Sequence, residues 1–224
     1  MITNESRRDK GRRNFLKASG ALLLGVHLPQ VLAQSGPGRT VLKSEGAAAA
    51  FAPNAFVRIG ADNTVTVVVK HLEMGQGTYT GLPTLVAEEL DADWSQIRAV
   101  GAPADAKVYN NLFWGEAQGT GGSTALPNSY EQMRKAGATA RAMLVAAAAQ
   151  KWQAPANEIR VSRGVISWRD RKATFGSLAA DAAKQPVPAD APLKDPKNFV
   201  LIGKPARRTD ARAKSNGTAL FTRT

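Results

Sequence analysis

Two glycine-rich stretches decide the fold: Glu73-Met74-Gly75-Gln76-Gly77 and, further along the chain, Gln118-Gly119-Thr120-Gly121-Gly122-Ser123-Thr124. Each follows an apolar or extended stretch, and each opens a segment whose apolar residues recur at helical spacing. A helix that begins at such a turn has N–H groups without partners, and its dipole adds roughly half a positive charge there. Because glycine has no Cβ, this backbone can approach a ligand closely. The two turns therefore predict a pair of loops that jointly hold a phosphate-bearing ligand.

The rest of the pattern predicts an α+β fold with the order ββαβαββα, in which both long helices start at a glycine-rich turn. The first two strands, 56–59 and 64–69, are separated by turn residues and predict a hairpin. The longer helix has mostly small residues on its buried face, such as Ala136, Gly137 and Ala140, which favours close approach to another element. The other predicted elements are a helix from Thr78 or Thr80 to near Asp93, a strand at 97–100, the longer helix from about 127 to 152, a hairpin at 159–168 and a helix near 175–183.

The composition limits the possible functions. The net charge of +12 lies mostly at the ends, because residues 1–33 carry six basic and two acidic residues and residues 194–224 carry eight and two. The intervening 34–193 carry sixteen and fourteen, so a nucleic-acid-binding face is not expected. The sequence has no Cys and two His, which leaves little for iron–sulfur ligation or a zinc site. Redox chemistry therefore requires a bound cofactor.

The first 33 residues have the pattern of an export signal. Arg12-Arg13-Asn14-Phe15-Leu16-Lys17 precedes an apolar run, Pro29 and the small-residue exit Val31-Leu32-Ala33. The run is too short to span a bilayer comfortably, so no permanent membrane span is expected. The paired arginines with Phe15, Leu16 and Lys17 favour the twin-arginine signal, and a plain secretory signal or a basic helix is the alternative. We expect cleavage after Ala33 and a periplasmic location.

The remaining chain divides into four parts by composition. Residues 34–54 resemble a linker, and residues 55–184 hold the predicted elements as one domain. Four prolines without periodicity mark 185–198 as a second linker, and the basic stretch 199–224 is expected to begin a further domain that the chain truncates.

Neither glycine turn identifies its ligand alone. A G-x-G between strand and helix is as often a tight turn as a binding site. The second turn lacks the Gly-Lys-Ser/Thr ending of an ATP or GTP hydrolase, and neither turn shows the downstream acidic residue and parallel βαβ context of a nicotinamide site. His71 is expected to be a strand-end residue rather than a base, and Glu73 a charge or cap at the helix N-terminus.

The residues around both turns resemble a known family. In the first half these are Glu73 to Gly77, Thr80-Gly81-Leu82 and Ala87-Glu88-Glu89-Leu90-Asp91. Further along they are Thr120 to Thr124, Arg134-Lys135-Ala136-Gly137-Ala138, Ala140-Arg141, Met143-Leu144, Ala146 to Ala149, Trp152, Ile202-Gly203-Lys204-Pro205, Arg208-Thr209-Asp210 and Lys214 to Ala219. In these stretches the chain resembles the large, molybdenum-binding subunit of the xanthine oxidase family, of the isoquinoline 1-oxidoreductase and periplasmic aldehyde dehydrogenase type.

The resemblance implies a molybdopterin cytosine dinucleotide cofactor that carries molybdenum. It implies hydroxylation of an aldehyde or N-heterocycle with oxygen from water, with electrons leaving through iron–sulfur clusters on a separate small [2Fe-2S] subunit. Twin-arginine export suits this family because the cofactor must be inserted before the membrane is crossed. By the match, the cofactor-lining residues are Gly75, Gln76, Gly77, Gln118, Thr120, Gly121, Gly122, Ser123 and Thr124.

The chain departs from the family in length. Large subunits of the family are several times longer, and the part that carries their catalytic glutamate has no counterpart here. No residue of this chain is therefore assigned a catalytic or metal-binding role. We expect an N-terminal cofactor-binding module that needs the rest of the large subunit, and the alternatives are an inactive α+β fragment or a free-standing nucleotide-binding protein.

Overall fold

The computed structural model describes residues 51–219, which form five helices and two sheets. The predicted export signal and most of the first predicted linker lie outside this range. The strands are β1 (Phe51–Asn54), β2 (Val57–Ile59), β3 (Val65–Val69), β4 (Ile97–Gly101), β5 (Arg160–Ser162), β6 (Val165–Trp168) and β7 (Arg171–Thr174). The helices are α1 (Thr78–Leu90), α2 (Ala106–Tyr109), α3 (Ala125–Trp152), α4 (Phe175–Ala182) and α5 (Ala211–Ser215). The predicted α+β class is confirmed, with both long helices starting at a glycine-rich turn.

The first sheet has the order β1-β2-β3-β4. Strands β2 and β3 form the predicted antiparallel hairpin, in which Val57 pairs with Val67 and Ile59 with Val65. Strand β1 extends the sheet on the other side of β2, so residues at the end of the predicted linker 34–54 belong to the sheet. These valines and isoleucines are fully buried, because every second side chain of each strand faces the helices.

Strands β3 and β4 are parallel, with Val65 opposite Ile97 and Val69 opposite Gly101. Helix α1 connects them and packs on both, so β3-α1-β4 is a βαβ unit. The sequence pattern indicated no such context at the first turn, and that interpretation was wrong. The reason is β4, whose only buried residue is Ile97. An apolar pattern this short does not show whether the strand runs parallel or antiparallel to its neighbour.

Helices α1 and α3 make the largest helix–helix contact of the described residues. Gly137 lies so close to α1 that a Cβ there would stand 2.6 Å from the carbonyl oxygen of Val86. The predicted small-residue face of α3 is therefore the surface that lets the two helices touch. The second sheet, β5-β6-β7, is antiparallel and follows α3; its first two strands form the predicted hairpin, whereas β7 was missed.

The segment after α4 packs against α1 rather than leaving the domain. Lys194 donates to the side chain of Glu88 at 2.7 Å, and the backbone N–H groups of 200–202 donate to the other oxygen of Glu88. Lys194, in the predicted linker 185–198, and residues 200–202, in the predicted start of a further domain, are thus both fixed to helix α1. Proline content indicated an irregular chain here, and the structure shows an irregular chain that is held by buried charge.

None of the described helices is long and apolar enough to cross a membrane.

Candidate functional site

The two glycine turns lie side by side at the carboxyl end of β3. His71, at this end, has its Nδ1 3.1 Å from the carbonyl oxygen of Gly119, and the N–H of Leu72 donates to Oγ1 of Thr120 at 2.8 Å. Leu126, after the second turn, packs over Gly81 in α1. The turns are therefore one composite surface, as the sequence predicts. This surface lies at the carboxyl ends of the parallel strands β3 and β4, and open α/β sheets bind ligands at the carboxyl ends of their strands.

His71 is a structural link in this arrangement. It is 1% exposed, and its Nε2 lies 3.2 Å from both the hydroxyl of Ser129 and the amide nitrogen of Asn128 in α3. Because a carbonyl only accepts, Nδ1 carries the proton and Nε2 accepts from α3. Burial lowers the pKa of His71, with the nearby Lys70 acting in the same direction. A neutral imidazole that joins β3, the second turn and α3 fits the strand-end role.

The first turn is organised by its own carboxylate. Glu73 accepts the N–H groups of Gly75 at 2.7 Å, Gly77 at 3.1 Å and Tyr79 at 2.9 Å. Burial acts to raise the pKa of Glu73, but these three hydrogen bonds outweigh it and lower the pKa. The positive end of α1 thus already has an anion, and Glu73 has its predicted role as the cap of this helix.

The outer face of the first turn is open backbone. Gly75 and Gly77 have φ of 107° and 96°, and nothing lies within 4 Å of a Cβ built on either residue. The amide of Gln76 is engaged within the turn, since it accepts from the N–H of Met74 and donates to the carbonyl of Leu72. Gln76 therefore shapes the turn with its side chain, while its glycine neighbours leave room for a ligand on the backbone.

The second turn is built differently, because no side chain caps its helix. The capping residue of α3 is Thr124, whose hydroxyl donates to the carbonyl of Gly121 and accepts from the amide of Asn111 instead of binding an α3 N–H group. Gly122 and Ser123 both have positive φ, 60° and 56°, and their N–H groups bind no acceptor among the described residues. The N-terminus of this 28-residue helix is therefore available to an anion.

Trp114 forms one wall of the second turn. A Cβ on Gly119 would stand 2.6 Å from the indole, and one on Gly121 would stand 3.1 Å from it. These glycines are thus required by a side chain of the protein itself. The amide of Gln118 is also engaged internally, because it donates to the carbonyl of Pro103 and accepts from the N–H of Asp105. Trp114 itself is 44% exposed and packs on the turn.

The C-terminal segment fastens the first turn from outside. Arg208 donates to Glu73 at 3.1 Å and to the carbonyl of Gly75 at 2.9 Å, and it also pairs with Asp210. Thr209 bonds to Tyr79 and Thr80 at the start of α1. A cavity of about 380 Å³ lies between this segment, Tyr79 and β4, and no residue of either glycine turn lines it. Its arginine–aspartate pair is satisfied internally, so the joined turns remain the better candidate site.

Large apolar side chains remain exposed around the two turns. Met74 is 69% exposed and Phe113 is 61% exposed, although both belong to the loops that form the site. We call this set the apolar rim: Leu72, Met74, Leu112, Phe113, Trp114 and Leu126. Apolar side chains clustered around a polar site mark a surface that another molecule covers.

Sequence reasoning missed several residues that build the site. Asn111 is fully buried and holds Thr124, and Asn128 holds His71, while Trp114 supports two glycines. Asn111 and Trp114 lie in the stretch 101–117, which has no periodicity. An Asn-Asn-Leu-Phe-Trp run directly before a glycine turn was the available signal. No group of three or more His, Asp or Glu side chains among residues 51–219 is arranged to hold a metal ion.

Comparison with known proteins identifies the family. The sequence family described as a molybdopterin cofactor-binding domain matches residues 7–218. The chain is 36% identical to the beta chain of isoquinoline 1-oxidoreductase from Brevundimonas diminuta, over 94% of this chain and 31% of that protein. It is 30% identical to a membrane-bound aldehyde dehydrogenase (pyrroloquinoline-quinone) of Gluconacetobacter polyoxogenes, over 94% of this chain and 27% of that protein.

A third relative is a nicotinate dehydrogenase subunit from Pseudomonas putida, 30% identical over 97% of this chain and 18% of that protein. The chain thus spans about a third or less of the length of these relatives. The resemblance around the glycine turns is confirmed over nearly the whole chain. The chain belongs to the molybdopterin cofactor-binding domain family and corresponds to part of the large subunits of the xanthine oxidase family.

Proposed function

We propose that this chain is the cofactor-binding module of a periplasmic molybdenum hydroxylase that oxidises an aldehyde or an N-heterocycle with oxygen from water. The observation that carries the proposal is the junction of the two glycine turns through His71 and Leu72. Two separate turns, distant in sequence, form one surface of open backbone at the edge of a parallel strand pair. Such a surface suits a long, phosphate-bearing ligand better than a compact one.

The residues present fit such a ligand. The first turn offers bare backbone at Gly75 and Gly77, where the flat pterin ring could pack without meeting a Cβ. The second turn offers Gly122, Ser123 and the uncapped N-terminus of α3, which suits phosphate oxygens. This assignment of the pterin to the first turn and the phosphates to the second differs from the expectation that both turns hold phosphate. At the first turn the carboxylate of Glu73 already occupies the position that an anion would take.

The proposed cofactor is molybdopterin cytosine dinucleotide, which supplies the molybdenum centre for hydroxylation when bound. Within this proposal, four side chains maintain the shape of the loops through their internal hydrogen bonds: those of Gln76, Gln118, Thr120 and Thr124. The chain contributes no Cys. We therefore assign electron transfer to iron–sulfur clusters on a small [2Fe-2S] partner subunit.

Completion by the rest of a large subunit is part of the proposal. The apolar rim surrounds the turns with exposed Met74, Phe113 and Trp114, and the relatives are much longer than this chain. Further polypeptide of the same subunit is the partner that we propose for this surface. It would also supply the catalytic glutamate that the resemblance requires.

The proposed route to the periplasm is the twin-arginine machinery. Arg12 and Arg13, followed by Phe15, Leu16 and Lys17, support it, and so does a cofactor that is loaded before export. Replacing both arginines by lysine should retain the chain in the cytoplasm. Secretion of that variant by the general route would contradict this part of the proposal.

The central experiment measures molybdenum and releasable CMP on the chain purified from its native periplasm, with identification of copurifying polypeptides. Stoichiometric metal and CMP together with partner polypeptides are the expected result. A metal-free, nucleotide-free monomer would instead support the alternative, an inactive fragment that retains the α+β fold.

A matched pair of variants sharpens this measurement. Ser123→Asp places a carboxylate at the N-terminus of α3, which favours the helix but repels a phosphate. Ser162→Asp makes the same change at an exposed position of β5, outside the site. We expect the first variant to fold normally and lose the cofactor, and the second to keep it. Equal cofactor content in both would remove the second turn from the site.

A further inference from the structure

Lys70 is a buried cation without a partner. Its side chain is 2% exposed, and its Nζ has no hydrogen bond to any residue of the described part of the chain. Burial lowers the pKa of Lys70 to about 8, and no carboxylate counteracts the effect. A buried ammonium is normally paired, because its removal from water is costly. Lys70 thus has no anionic partner among residues 51–219.

The position of Lys70 relates it to the second turn. Side chains alternate at the end of β3, so Lys70 lies on the opposite face from His71. Tyr109 lies over that face, since its ring packs edge-on against Phe56, the neighbour of Val68, with ring centroids 5.6 Å apart. Lys70 directly precedes His71, whose Nδ1 lies 3.1 Å from the carbonyl oxygen of Gly119 in the second turn. Lys70 is therefore one residue from the contact that joins the two turns.

The composite surface needs a positive charge from elsewhere. Neither 72–77 nor 117–124 contains Lys or Arg. Arg208, which reaches the first turn, is already paired with Glu73 and Asp210. The α3 dipole contributes only about half a charge, whereas a pyrophosphate group carries more than one negative charge. An unpaired buried lysine at the same strand edge matches this deficit.

We propose that the ammonium group of Lys70 binds phosphate oxygens of the ligand that the two turns hold. The inference rests on the proposed function and adds a residue that the family resemblance does not name. Because Lys70 is 2% exposed, binding requires the residues that cover it to move.

The experiment compares Lys70→Met with Lys107→Met, which alters an exposed lysine of α2. Inorganic pyrophosphate is titrated calorimetrically into each full-length chain at constant ionic strength. We expect binding to Lys70→Met to be weaker by at least about tenfold, since it loses a charged hydrogen bond. The Lys107→Met affinity should stay within about twofold of the original chain, because an exposed lysine adds little.

Two further readouts separate binding from folding. Lys70→Met should melt at the same temperature as the original chain or higher, because it removes an unpaired buried charge. The ¹³Cε signal of Lys70 should report a rise of its pKa from about 8 when pyrophosphate is added. If the original chain binds pyrophosphate no better than Lys70→Met, the inference is wrong.

Cofactor content distinguishes this inference from the proposed function. If the original chain and Lys70→Met carry equal molybdenum and CMP, the role of Lys70 is refuted while the proposed function stands. If the original chain carries none, the proposed function fails and the role of Lys70 fails with it.

Discussion

At the N-terminal end of α1 the carboxylate of Glu73 accepts N–H groups of three residues, and in the last turn of α1 the carboxylate of Glu88 accepts three more. Glu73 binds N–H groups that precede or open its own helix, at 75, 77 and 79. Glu88 binds N–H groups at 200–202, more than a hundred residues away. The same chemical device is thus used once for a local turn and once for long-range docking.

The surroundings of the two carboxylates differ in a way that bears on function. Glu88 is fully buried and is held by Lys194, which also bonds Asp91, while neighbouring Glu89 binds Arg134 at 2.6 Å. Glu73 is covered, but the turn that it holds presents open backbone to the outside. One end of α1 is closed by protein on all sides, and the other is preorganised with a free face. A binding loop benefits from that arrangement, because its shape is fixed before a ligand arrives.

Glu88→Gln should produce the largest effect. The amide keeps the size of the side chain but points a donor at Lys194 or at the N–H groups of 200–202. Breaking a buried charge pair in this way costs about 3–5 kcal/mol. The measurement is urea unfolding, and Glu131→Gln, which alters an exposed helical ion pair, is the control. A Glu88→Gln midpoint equal to that of the control would show that the C-terminal segment is not held by this carboxylate.

The difference between these two regions also shows what the sequence can reveal. The glycine turns, both long helices and two hairpins follow from local patterns: glycine after an extended stretch, apolar spacing and turn residues. Glu73 as a cap also follows, because its partners are within six residues of it. Such contacts can be inferred because chain proximity already brings the groups together.

Long-range contacts were not predictable in the same way. Nothing local indicates that Glu88 will bind 200–202, and the prolines of 185–198 instead indicated a separating linker. The parallel pairing of β3 and β4 was missed because β4 carries one buried residue. Within the site, Asn111 and Trp114 were missed because their partners lie in the following glycine turn, while their own stretch has no period.

Acid should weaken both ends of α1. At Glu88 burial acts to raise the pKa, but the bonds from Lys194 and from Leu201 and Ile202 outweigh it and lower the pKa below the ordinary 4.5. Because the folded pKa is depressed, this stabilisation is complete above pH 4.5 and is lost as pH falls through the lower folded value. The free energy of unfolding, measured from about pH 7 to about pH 2, should therefore fall less steeply for Glu88→Gln. Parallel curves for both proteins would contradict this assignment.

Glu73→Gln should have a smaller and more local effect. The amide keeps one acceptor oxygen but turns a donor towards one of the three N–H groups, which costs about 1–3 kcal/mol. Hydrogen exchange of residues 74–79 should accelerate while the core strands stay protected. Loss of cofactor together with an unchanged unfolding midpoint would show that the first turn serves binding more than folding. Acceleration throughout the chain would instead mean that Glu73 and Glu88 are equivalent structural groups.

Arg208→Met should have the smallest effect on stability, because this arginine is 41% exposed and surface ion pairs add little. Its two bonds to Glu73 and to the carbonyl of Gly75 nevertheless restrain the open face of the first turn. Exchange at Gly75 and Gly77 should therefore increase without a measurable shift of the unfolding midpoint. Arg212→Met, a neighbouring exposed arginine in the same basic segment, is the control. Equal exchange in the two variants would show that Glu73 alone restrains the first turn. Each end of α1 would then be held by a single carboxylate, Glu73 at the start of the helix and Glu88 in its last turn.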